Sequence, residues 1–162
     1  LQLIATLPVD YRDLQGADQW RGFAVPPGGL EPPEVLDMLV GWSARLQAAQ
    51  GWGTWLAVWR GEVVASLAVK DPVADGAVEI GYGVAPARRW QGVATAAVRA
   101  LLPVLAGHGV RVVQSETAQG NPASGRVMQK AGFARVGERF DPEDGLLDLW
   151  QCRLDTSGDI LV

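Results

Sequence analysis

The stretch AVEIGYGVAPARRWQGVATAAV, Ala77 to Val98, constrains the fold more than any other part of the chain. Its first part, "AVEIGYGV", reads as a strand, and Pro86 marks its end. Beyond it Ala94, Ala97, Val98, Leu101, Leu102 and Leu105 recur at helical spacing, which predicts a helix from about Trp90 to Ala106. Gly81 and Gly83 inside the strand predict a bulge or a close approach by another group's backbone. Pro103 removes one donor late in the helix, so a kink or early fraying is expected there.

The rest of the chain supplies the setting. "LQLIAT" alternates weakly and suits an edge strand. "VPPGGLEPPE", Val25 to Glu34, is a loop by its proline and glycine content; too few residues precede it for a separate core. Val35, Leu39, Trp42 and Leu46 make an apolar stripe on a helix from Glu34 to Ala49, stopped at Gly51. "TWLAVWRGEVVASLAV" reads as two strands about a tight turn at Arg60-Gly61-Glu62. "GVRVVQSET" is a further strand. Asn121 and Pro122 open a helix as N-cap and first residue, and Gly132 closes it. "FARVGERF" and "LLDLWQCRL" are the last strands. Hairpin turns together with helical crossovers argue a mixed α/β sheet with helices on its faces, in one domain over 1–162.

The start of the helix after Pro86 suits an anion. Four N–H groups at a helix start lack internal partners, and the peptide dipoles add positive charge there. Gly92 removes a side chain from the contact point; Ala94 and Ala97 keep the end slim, and Thr95 adds a hydroxyl. Arg88 and Arg89 add positive charge at the loop. The P-loop ending is absent, and the dinucleotide pattern begun by Gly81-Tyr82-Gly83 fails at Pro86.

Arg89-Trp90-Gln91-Gly92-Val93-Ala94 matches the Q/R-x-x-G-x-G/A signature and resembles the GNAT N-acetyltransferase superfamily. "EIGYGVAP" resembles that family's bulged fourth strand. "NPASGRVMQKAGFARVGE", Asn121 to Glu138, resembles the RimJ/RimL-like branch, which acetylates protein N-termini. The resemblance implies a mostly antiparallel central sheet with splayed fourth and fifth strands and helices on both faces. It implies acetyl-CoA as co-substrate, without a metal. Pantetheine would pair near Val84, and pyrophosphate would lie on the N–H groups of Arg89, Trp90, Gln91, Gly92, Val93, Ala94 and Thr95. An amine would attack the thioester directly, so a base, an oxyanion donor and a proton for the leaving thiolate are needed. For the base the resemblance offers Glu79 on the fourth strand and Glu116 on the fifth; a solvated face or salt bridge would equally explain either. Many members place a tyrosine as acid seven residues after the asparagine, where this chain has Met128. The branch's serine three residues after it is Ser124, which would hydrogen-bond the sulfur or serve in the helix cap. Asn121 would cap the helix and bond the pantetheine arm.

Composition narrows the partners. Net charge is −4, so no bulk basic field for nucleic acid exists, and the acidic balance favours a cationic acceptor through steering. No run of about 18 apolar residues suggests a membrane helix, and no leader pattern stands at the start, so the cytoplasm is expected. Cys152 is the only cysteine and reads as a buried small hydrophobe. His108 follows a helix and suits its C-terminus. Seven tryptophans are chiefly core, with one or two available to wall an acceptor pocket. The expected acceptor is a primary amine: a protein or peptide N-terminus, or alternatively a small amine. A CoA-binding sensor without turnover is the reading from another class. Dimers are common among the relatives.

Overall fold

Alternation along the strands divides the side chains between two cores. The structure is a computed structural model describing residues 1–162. Strand β1 (Gln2–Ala5) leads to α1 (Pro8–Asp13), then to the short strands β2 (Gln19–Trp20) and β3 (Phe23–Ala24). Helix α2 (Pro33–Gln50) precedes β4 (Thr54–Trp59), β5 (Glu62–Val69) and β6 (Ala77–Val84). A 3-10 turn (Pro86–Arg88), α3 (Val93–Gly107), β7 (Val112–Ala118), α4 (Pro122–Ala131), β8 (Ala134–Asp141) and β9 (Gly145–Arg153) complete the chain. On β4, Leu56 and Val58 join a cluster with Tyr11, Leu36 and Leu39 from α1 and α2. Trp55 and Ala57, of opposite parity, join the larger cluster with Val98, Leu101 and Leu105 of α3 and Met128 of α4.

The sheet runs β1-β4-β5-β6-β7-β9-β8, with β2 and β3 attached beside β5. Along this path every pairing is antiparallel except β6 with β7. That parallel pair lasts only from Ala77–Val112 to Glu79–Gln114. Beyond it the strands part, and the buried Ser115 hydroxyl donates to the Ile80 carbonyl at 3.3 Å. This is the splayed pair; β2 and β3, two residues each and too short to show a period, shift its count to six and seven.

Three local expectations need correction. Strand β6 has no bulge against β5, because the register runs unbroken from Ala65–Val84 to Val69–Ile80. Its glycines admit a neighbour instead: a Cβ on Gly83 would overlap the Glu31 carboxylate, a side chain rather than a backbone. Helix α3 begins at Val93, since Trp90 (φ 65°) and Gly92 (φ 77°) are left-handed and cannot join a right-handed helix. It then continues past Pro103 to Gly107 without early fraying. The C-terminal tail covers Pro103 so closely that a Cβ on Gly158 would overlap it. His108 is the C-cap of α3 and stacks on Trp52 with ring centroids 4.1 Å apart. No helix is long and apolar enough to cross a membrane.

Candidate active site

The parting of β6 and β7 opens a cavity of about 490 Å³. Tyr82, Gly83 and Val84 of β6 form one side; Asn121, which caps α4, and Ser124 and Val127 of α4 form another; Arg89 to Thr95 close the end, with Gln91 alone among those residues set back from the lining. The backbone N–H groups from Trp90 to Thr95 have no main-chain acceptor; the first helical bond here runs from Ala96 N–H to the Gly92 carbonyl. Trp90 and Gly92 are left-handed, and this run of unpaired amides at the positive end of α3 suits an anion. Arg126 and Lys130, one turn apart on α4, add cations to the same wall. Arg88 is otherwise engaged, donating to both Glu62 carboxylate oxygens at 2.7 and 2.8 Å. Arg89 donates to the Val84 carbonyl at 3.3 Å. The residues present therefore fit a phosphate-bearing chain laid along β6 and ending at α3.

A second cavity, of about 280 Å³, lies where α2 faces β5 and β6. Both cavities are lined by Tyr82 and Gly83, so ligands in the two would meet across these residues. Glu31 reaches into the second. Leu30 is buried and Pro32-Pro33 start α2, which pins Glu31 between a hydrophobic anchor and two fixed φ angles. Ser66 Oγ donates to Glu31 Oε1 at 2.6 Å. Burial raises the Glu31 carboxyl above its usual range, against the opposing Ser66 hydrogen bond and Arg89 charge. Sequence reading passed over Glu31 because it sits in a stretch whose prolines and glycines announce only a loop. The trace it left was at Gly83, which needed a close neighbour.

A family model described as an acetyltransferase (GNAT) domain matches residues 8–134. The chain belongs to the GNAT acetyltransferase family. No curated protein matches it. Aminoglycoside acetyltransferase AAC(6')-Ib in complex with coenzyme A is similar in structure, with a TM-score of 0.63 and 22% identity over 94% of each chain. RimL, a ribosomal alpha-N-protein acetyltransferase in complex with coenzyme A, gives 0.70 and 18%, covering 95% of this chain and 94% of that one. A spermidine N-acetyltransferase chimera from Vibrio cholerae SpeG and hSSAT gives 0.66 and 12% over 93% of each. These likenesses show the GNAT fold. They include enzymes named for protein, antibiotic and polyamine acceptors, so membership of the fold leaves the acceptor undecided.

Within this GNAT frame the two glutamates expected as base fare poorly. Glu79 sits at the last paired position before the split, is bound to Lys70 by an ion pair, and lines neither cavity. Glu116 accepts from Arg139 Nε and the guanidinium NH2 at 2.8 and 2.6 Å. That guanidinium holds the Glu116 carboxyl below the usual range, which weakens it as a proton acceptor. Ser124 does line the larger cavity; its Oγ accepts from Asn121 Nδ2 at 3.1 Å, leaving its own proton free to donate. Asn121 also accepts the Ser124 N–H as the α4 cap. Met128 is fully buried in the core, far from any acid role. Sequence reading also missed Tyr82 as a site residue: its hydroxyl donates to the Ser124 carbonyl at 3.4 Å across the cleft, and burial raises its pKa. No cluster of His, Cys, Asp and Glu could hold a metal ion.

Proposed function

We propose that this chain transfers an acetyl group from acetyl-CoA to a primary amine, with a peptide or protein N-terminus as the first choice of acceptor. The observation that carries the reading is the pair of cavities sharing Tyr82 and Gly83, one of them ending in the backbone amides of Trp90, Gly92, Val93, Ala94 and Thr95, which have no main-chain acceptor. Pyrophosphate lies on those amides, with Arg89, Arg126 and Lys130 nearby. Pantetheine follows the open edge of β6 toward Gly83 and Val84. The amine nitrogen attacks the thioester carbonyl, its proton leaves to a base, the C–S bond breaks, and the thiolate departs as CoA takes a proton. Ser124 is the hydrogen-bond donor to that sulfur. Asn121 orients Ser124 and faces the pantetheine arm.

A free small amine is the second reading, favoured by an acceptor cavity of about 280 Å³. Calorimetry with CoA tests the donor half, and thiol release from acetyl-CoA with N-terminal peptides and small amines tests the whole. CoA binding with release is expected. Absence of CoA binding overturns the reading; CoA binding without release from any amine points to a sensor.

A further inference from the structure

We infer that the acceptor is a primary monoamine on a compact apolar body, and that Glu31 receives first its ammonium and then its proton. This rests on the acetyl-transfer reading above. Val35, Met38, Leu39 and Trp42 form one stripe of α2 and give the acceptor cavity an apolar wall. Leu67 and Ala68 of β5 line it opposite. Glu31 is the only charged side chain in that lining, with the Ser66 hydroxyl as its partner. One carboxylate neutralises one ammonium. A polyamine or aminoglycoside would press further ammonium groups on apolar surface, at a desolvation cost nothing repays. A free amino acid would set its carboxylate near Glu31 with no cation in the lining.

The carboxylate is also where the chemistry needs it. It lies against the backbone of Gly83, the residue common to both cavities. Glu31 takes one proton from the bound ammonium and so frees the nitrogen lone pair; the C–N bond then forms, the C–S electron pair leaves with sulfur, the second N–H proton goes to that thiolate, and Glu31 gives its proton to water. Charges and titratable groups facing Glu31 are few. Arg89 acts on it from the donor loop; Tyr82 shares the lining, and Tyr11, pushed up to about 12, stays neutral. Its raised pKa makes it a better proton acceptor than an exposed carboxylate.

Two sources carry this chemistry: a peptide whose first residue is bulky and apolar, and a free apolar amine. The test assays the full chain with acetyl-CoA against a leucine-initiated peptide, phenethylamine, spermidine and an aminoglycoside. Calorimetry of phenethylamine into the CoA-bound protein runs beside it. Expected is kcat/KM at least about tenfold higher for the peptide or for phenethylamine than for the polycations. Glu31→Gln should lower kcat/KM by about 100-fold and abolish the acidic limb of its pH profile, with CoA affinity unchanged. Which apolar substrate wins identifies the source. Preference for spermidine or the aminoglycoside overturns the inference and leaves acetyl transfer standing. So does unaltered turnover or an unaltered pH profile in Glu31→Gln. Phenethylamine binding without thiol release from any of the four amines would overturn proton transfer and acetyl transfer together. Failure of phenethylamine to bind, with CoA bound and the peptide inert, overturns the cavity's assigned chemistry itself.

Discussion

At residue scale the site turns on the absence of one side chain. A methyl group on Gly83 would strike the end of the Glu31 side chain, which can swing away, rather than backbone, which cannot. Gly83→Ala should therefore leave the melting temperature within a few degrees while cutting turnover by about tenfold or more, with CoA affinity kept. Steady-state kinetics beside calorimetry reads this. Gly92 differs: space beside it is open, but its φ of 77° is costly for any Cβ. Gly92→Ala should cost about 1–2 kcal/mol of stability in urea unfolding and weaken CoA binding as well. Glu31 itself has a pH signature. Its folded pKa is raised, so the charged form opposes folding. That penalty is absent below the ordinary value of 4.5 and complete once pH exceeds the raised one. Glu31→Gln should thus gain stability over the native chain as pH rises through that window, and match it in acid. Thermal melts across pH check the sign.

At the scale of elements, acid acts in the opposite direction on the β7-β9-β8 end of the sheet. Arg139 holds Glu116 low, backbone amides of Asp144 and Glu143 and then Arg139 hold Asp141 low, and Arg135 holds Asp148 low. Stability from depressed carboxyls is present above their unfolded values of 4.5 and 3.8, and is lost as pH falls through the lower folded ones. Hydrogen exchange should show amides of β8 and β9 opening first in acid, while β4 and β5 stay protected. In α4, Asn121→Ala should cost about 1 kcal/mol by removing the cap. Ser124→Ala should lower turnover with little change in acetyl-CoA affinity, measured by kcat and calorimetry. Such elements were legible because their signals are local: Asn121-Pro122, Gly132, the α2 stripe and the β6-to-α3 junction each declare themselves in a few residues. Glu31 was not, since its meaning depends on Ser66 and Gly83, far along the chain. Glu79 and Glu116 were suggested by the family resemblance, and their lysine and arginine partners come from other strands or turns. The helix start at Val93 hid behind Trp90, a non-glycine residue in a left-handed conformation that no propensity announces.

For the whole molecule, the two hydrophobic clusters lie on opposite sides of one sheet, and on the proposed reading each side serves one reactant. Helices α1 and α2 with their core stand on the side of the proposed acceptor cavity; α3 and α4 with theirs stand on the side of the proposed donor cavity. CoA at about 100 times its dissociation constant should raise stability by about 2.7 kcal/mol, seen as a concentration-dependent thermal shift. Only β6, through Tyr82 and Gly83, lines both cavities. On the proposed reading, the acceptor-facing groups from Glu31 to Trp42 form one uninterrupted piece of chain that runs from the buried Leu30 into a helix already packed. Such a piece can be exchanged like a cartridge. Grafting another loop and helix start into that slot would change which amine is served, while the machinery that holds the acetyl donor stays untouched.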